Sequence, residues 1–281
     1  MKTPLQLEPA EQASDALRLI AKFGWLRAPE LGRLMYMYDP HATKYAEKLI
    51  RKLRGLGLLI VRPLPRRYAG NAYVLSTRGS DLLNEWGRHN GYRSGKDWGA
   101  TSPAGWQPPV SWRHDLIATG VLSHLAAKGY EVLPERLLRG YVPDAEKHPD
   151  GLATLRKGKG DPFSIWIEVE NARKTGRAAD TLVQTLVKAA RGKPPTYYDT
   201  IQDAPVRHSM VVLDSNVRDE RGYHIDHWQR IIARIKRHTL IAPVRLLVCY
   251  VTLKGVGVEK IQVHSVNLEP DALHGVKVMQ M

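Results

Sequence analysis

Pro149-Asp150-Gly151-Leu152-Ala153-Thr154-Leu155, followed beyond a Gly- and Lys-rich turn by Phe163-Ser164-Ile165-Trp166-Ile167-Glu168-Val169-Glu170, is the stretch that decides the fold. Two apolar, β-prone runs separated by the turn residues Lys157 to Gly160 predict a β-hairpin. Asp150 enters one strand and Glu168 leaves the other, so the two carboxylates fall on adjacent strands where they can share a metal ion. A hard divalent cation such as Mg²⁺ or Mn²⁺ takes oxygen ligands and is held by one or two carboxylates, with water and phosphate completing its shell. Asp150 and Glu168 are therefore the expected metal ligands, with the Val169 carbonyl as a third and Glu170 as a second ligand or a water-positioning base. Asp144 stands as the alternative to Asp150. The competing reading of the same pattern is a solvated strand end that happens to be acidic.

The 281 residues suffice for two modest domains, each with a core of its own. Lys and Arg number 42 against 28 Asp and Glu, a formal net charge of +14, which favours a polyanionic partner such as DNA. The first 100 positions hold 17 basic and 9 acidic residues, and the remaining 181 hold 25 and 19, so both halves are basic. The lone Cys249 lies in the apolar run Leu246-Leu247-Val248-Cys249-Tyr250-Val251 and reads as a buried strand residue in a reducing, cytoplasmic protein. Glu8, Glu11 and Asp15 stand where a secretory signal would be basic and then apolar. No stretch approaches the roughly 18 apolar residues of a membrane span, and no Gly-rich loop ending in Lys-Ser/Thr suggests an NTPase.

The N-terminal half reads as three helices and a hairpin. Ala16, Leu17, Leu19, Ile20 and Phe23 form the apolar face of the first helix, and Pro29 opens the second. The third, His41 to Leu56, sets Ala42, Ala46, Leu49, Ile50 and Leu53 on one face and Lys44, Lys48 and Arg51 on the other. Strands Leu58–Val61 and Ala72–Leu75 flank a tip carrying Arg66 and Arg67. This order looks like a winged helix-turn-helix, with Lys44, Lys48 and Arg51 entering the major groove and Arg66 and Arg67 lying along phosphates. Residues 1–90 form this DNA-binding domain and 91–110 a Gly/Pro/Trp-rich linker. Trp98, Trp106 and Trp112 either stack on bases or anchor the linker.

Residues 111–281 are expected to form the second domain: a helix from Trp112 to Lys128, a strand from Glu131 to Leu138, the acidic hairpin, a helix from about Arg177 to Ala190 and a strand around Ser209 to Leu213. The fold class is α/β (α+β), the N-terminal winged helix preceding a mixed sheet flanked by helices. A helix around His227 to His238 and strands Val244–Val251 and Ile261–Val266 are expected to extend the sheet. His224-Ile225-Asp226-His227 lacks the further ligands of a zinc site, and Tyr197-Tyr198, after a Pro-rich turn, reads as packing.

Asp150 followed by Glu168-Val169-Glu170 resembles the PD-(D/E)xK nuclease signature, with Glu170 where lysine usually stands. The resemblance implies a restriction-endonuclease-like core and metal-dependent phosphodiester cleavage. It also implies Glu135 as the acidic residue before the hairpin, and Lys174, or else Lys188, as the cation that orients water or stabilises the transition state. The whole order, over roughly Ala13 to Leu213, resembles plasmid replication-relaxation and mobilisation proteins. Gly55-Leu56-Gly57-Leu58, Tyr73-Val74-Leu75-Ser76-Thr77-Arg78-Gly79 and His114-Asp115-Leu116 carry that likeness, and His114 joins the catalytic set through it. It implies a relaxase-like endonuclease or nickase at a mobile-element origin. DNA and relaxosome or other mobile-element proteins are the partners, a homodimer is left open, and no membrane is involved. The alternative is a non-catalytic DNA-binding accessory or regulator on a nuclease-like scaffold.

Overall fold

The computed structural model describes residues 9–65, 70–85, 106–156, 160–171, 175–198, 203–214, 230, 231, 233, 234, 244–254, 257–268, 279 and 280. The protein is mixed α+β and forms two compact units, Met1–Asp144 and Ala145–Met281.

In the first unit, helices α1 (Pro9–Phe23), α2 (Ala28–Tyr36) and α3 (Ala42–Gly55) precede strands β1 (Leu59–Pro63) and β2 (Asn71–Leu75). The apolar stripes foreseen for the helices are buried: Ala16, Leu17 and Ile20 on α1, Leu31 and Met35 on α2, Ala46, Ile50 and Leu53 on α3. Gly32 lets α2 approach α3, since a Cβ there would lie 2.7 Å from the Ala42 carbonyl oxygen. β1 and β2 pair antiparallel from Leu59↔Leu75 to Pro63↔Asn71, and Leu26 adds a bridge to Tyr73 on the other side of β2. Helix α4 (Thr77–Glu85) follows at once. Ser76 caps it: its hydroxyl accepts from the Gly79 N–H at 3.0 Å and donates to the Gly57 carbonyl at 2.6 Å. Ser76-Thr77-Arg78-Gly79 thus has a local physical cause, because a Cβ at Gly79 would collide with the Leu58 carbonyl oxygen.

Helix α5 (Trp112–Ala127), strand β3 (Glu131–Pro134) and helix α6 (Glu135–Tyr141) also belong to this unit. α5 packs on α2, and Arg33 Nη1 donates to Ser123 Oγ at 3.4 Å. Its buried residues include Thr119, Gly120 and Ser123 as well as Leu116, Ile117 and Val121, so it is enclosed on more than the one apolar face its sequence suggests. The strand expected over Glu131 to Leu138 stops at Pro134, and Glu135 to Tyr141 is helical. Proline has no N–H to continue a ladder and suits the start of a helix. The Trp106 ring lies 5.4 Å from the guanidinium of buried Arg62 on β1, a contact of the anchoring kind. Trp98 lies outside the described residues.

In the second unit β4 (Gly151–Leu155) pairs antiparallel with β5 (Phe163–Glu170). Helix α7 (Gly176–Ala190) then links β5 to β6 (Val206–Asp214), which lies parallel to it. Parallel neighbours need such a crossover. β7 (Val244–Lys254) is parallel to β6, and β8 (Gly257–Leu268) and β9 (Met279–Gln280) continue antiparallel. Leu182, Val183, Leu186 and Val187 of α7 pack on Val211, Leu213, Leu246, Val248 and Val266. Cys249, the one cysteine of the sequence, is fully buried on β7, as its apolar surroundings indicate. His224, Asp226 and His227 lie outside the described residues.

Candidate active site

The site grows from the register of the hairpin. Gly151 stands opposite Ile167, and the Asp150 N–H donates to the Ile167 carbonyl at 2.9 Å, which brings Asp150 beside Glu168. Side chains alternate along a strand, so Trp166, Glu168 and Glu170 share one face of β5 while Ile165, Ile167 and Val169 take the other. Glu168 pairs with Val211 and Glu170 with Leu213 on β6, and both of those partners contact α7. The acidic residues therefore point to the helix-covered face. Glu168 is 4 % exposed and Glu170 3 %, which overturns the solvated strand end.

Both oxygens of Glu168 are engaged. Trp166 Nε1–H donates to Oε1 at 2.6 Å, and Lys147 Nζ donates to Oε2 at 2.9 Å. Asp150 Oδ2 accepts from the Val169 N–H at 2.7 Å, so Val169 meets the site through its amide. Burial, and then the neighbouring Asp150 charge, push the Glu168 carboxyl up to about 7, against the opposing pull of Lys147 and the Trp166 hydrogen bond. Around this pair the connection after α7 closes in. Thr196 Oγ1 donates to the Lys147 carbonyl at 2.6 Å, and buried Tyr198 hydrogen-bonds His148 Nδ1 through its hydroxyl at 2.8 Å. Tyr198 is the packing residue its sequence context suggests, whereas Tyr197 is exposed.

Lys147 and His148 are the residues that sequence reasoning missed. They precede Asp150 by three and two positions in a polar segment with no periodicity, and the local signal was their closeness to that aspartate. Lys174 lies outside the described residues. Lys188 is on the exposed side of α7, and among the described residues no hydrogen bond or ion pair joins it to Asp150 or Glu168. Glu135 and His114 belong to the first unit. Glu135 pairs with Arg139, whose Nη2 is 2.6 Å from Oε1, and His114 Nδ1 lies 3.5 Å from Asp115 Oδ1. Asp144 ends the first unit, while Asp150 stands in the second beside Glu168.

Among the described residues no three His, Cys, Asp or Glu side chains gather as a metal-ligand group. Asp150 and Glu168 remain a hard-oxygen pair, and the Asp150 charge adds to burial in raising the Glu168 carboxyl. Oxygen donors of this kind could hold a divalent cation, which would offset the charge of the pair, and Glu170 lies two residues further along the same strand face.

In the first unit Lys44, Lys48 and Arg51 are all exposed along α3, as the stripe predicts. Arg51 continues into a groove of about 650 Å³ lined by Arg54, Gly55, Leu59, Ile60 and Val61, so Arg54 joins the basic face. Arg66 and Arg67 lie outside the described residues. No described helix is long and apolar enough to cross a membrane. No protein-family model, curated protein or solved structure matches the chain.

Proposed function

We propose that this protein is a Mg²⁺- or Mn²⁺-dependent DNA endonuclease or nickase, in which an N-terminal winged helix binds DNA and a nuclease-like second unit cuts it. The observation that carries the reading is the burial of Glu168 beside Asp150. A carboxyl group held in a nearly closed, helix-covered face next to a second acid is costly to ionise, and strongly perturbed groups of this kind concentrate at functional sites. Asp150 and Glu168 are the residues that would hold the ion, with Glu170 behind them. When bound, such an ion supplies Lewis-acid activation of water and neutralises phosphate charge. The chain's own groups orient the site: Trp166 fixes one oxygen of Glu168, the Val169 amide fixes Asp150, and α7 excludes water from the inner side.

Basic α3 and its adjoining groove supply the polyanion affinity that the +14 charge calls for. Action at a plasmid or mobile-element origin remains part of the proposal and rests on the order of elements and the motifs that resemble that family. The second reading is a non-catalytic DNA-binding accessory. It is favoured by the engagement of both Glu168 oxygens by Lys147 and Trp166, a set already satisfied by protein donors. Supercoiled plasmid decides between them. The endonuclease converts it to open-circular or linear DNA with Mg²⁺ or Mn²⁺ and stops with EDTA; an accessory retards the plasmid on a gel and leaves it supercoiled.

A further inference from the structure

The contact that the proposed chemistry leaves unused is the ion pair between Lys147 and Glu168. We propose that Lys147 is a built-in counter-cation of the carboxylate pair, and that its ammonium and a divalent ion compete for Glu168 Oε2. This rests on the reading of Asp150 and Glu168 as metal ligands.

The geometry separates a fixed oxygen from an exchangeable one. Oε1 is held by the indole N–H of Trp166, which is fully buried in the strand face and has no room to leave. Oε2 is held by an ammonium on a flexible four-carbon stem. The Lys147 side chain is 30 % exposed, against 6 % for Glu168, so the lysine comes in from the solvent side of the pair. Its main chain is pinned, because Thr196 Oγ1 donates to the Lys147 carbonyl. The ammonium can therefore swing out while the backbone keeps Asp150 in register. A dication entering beside an ammonium a few ångströms away meets like-charge repulsion that the two carboxylates must offset. Once displaced, the ammonium stays tethered beside the carboxylates by its own backbone.

The test is Mn²⁺ binding to the full chain by calorimetry at pH 8, for wild type, Lys147→Met, Lys147→Arg and Lys260→Met, the last removing an exposed lysine on β8. Lys147→Met should bind Mn²⁺ about tenfold tighter or more. Lys147→Arg, which keeps the charge, should stay within about threefold of wild type, and Lys260→Met should match it. Lys147→Gln carries the same expectation as Lys147→Met should the latter not fold, and a Mn²⁺-induced rise in melting temperature larger than wild type's is the second readout. Mn²⁺ uptake by wild type with equal or weaker uptake by folded Lys147→Met or Lys147→Gln overturns the counter-cation alone. No uptake by any variant at millimolar Mn²⁺ overturns the metal reading of Asp150 and Glu168, and this inference with it.

Discussion

Replacing Glu168 by Gln in the absence of metal isolates what the site's charge does to the fold. The wild-type carboxyl is pushed up to about 7 from the usual 4.5, by burial first and by Asp150 second. A folded-state value above the unfolded one means that the folded protein holds its proton more tightly. The stabilisation this brings is present below about pH 4.5 and is lost as the pH rises through 7. At about 1.4 kcal/mol for each tenfold change in proton affinity, wild type should lose on the order of 3 kcal/mol between pH 4 and pH 8 that the Gln variant does not. Gln keeps an oxygen for Trp166 Nε1–H and carries no charge for Asp150 to repel. The stability of Glu168→Gln minus that of wild type should therefore rise with pH. Because the chain has two compact units, the readout should be local. Amide hydrogen exchange over Phe163–Glu170, corrected for the intrinsic pH dependence of exchange, reports the opening free energy of β5. A difference that is flat with pH, or that falls, would refute the claim that Glu168 is buried as a strained, half-neutralised acid.

Two further outcomes concern the Trp166 donor and the basic face of α3. Trp166→Phe removes the donor to Glu168 Oε1; a hydrogen bond to a charged group is worth about 1.5–3 kcal/mol, so the pH at which β5 loses stability should move up by roughly one unit or more, read by the same exchange experiment. Reversing Lys44, Lys48 and Arg51 to Glu should weaken DNA binding and flatten its dependence on salt by about 0.9 log unit per lost phosphate contact. Fluorescence anisotropy across a salt series checks this, and an unchanged slope would remove α3 from the interface.

Much of the architecture could be read from side-chain periodicity. The stripes on α1, α2 and α3 appear at the spacing expected of half-buried helices, and the turn between Leu155 and Phe163 announces the hairpin. Placing Asp150 beside Glu168 needed no more than the antiparallel register. What lay beyond the pattern depends on contacts distant in sequence. The burial of Glu168 and Glu170 comes from α7 crossing the strand face on which they stand, a matter of tertiary packing rather than of local hydrophobicity. Lys147 occurs in a polar run that gives no periodic signal, and only the pairing of β4 with β5 brings it to a carboxylate 21 positions away. Glu135 illustrates the opposite failure. Its run of apolar neighbours suggests a strand, but Pro134 ends the ladder and the Glu135–Arg139 pair, one helical turn apart, supports α6. Tyr198 owes its burial to a loop that returns to His148 from 50 residues away.

The most direct test of the account follows cleavage and binding together in one preparation. Supercoiled plasmid with Mg²⁺ or Mn²⁺ is incubated with wild type, Asp150→Asn and Glu168→Ala, and DNA affinity is measured on the same samples, with circular dichroism to show the fold intact. Wild type should nick the plasmid, and both variants should lose nicking while binding DNA as tightly as wild type or more tightly, since each removes a negative charge near the phosphate. Equal nicking by all three proteins would contradict the assignment of chemistry to the buried carboxylate pair, and loss of DNA binding by folded Asp150→Asn would contradict the division between a unit that binds and a unit that cuts.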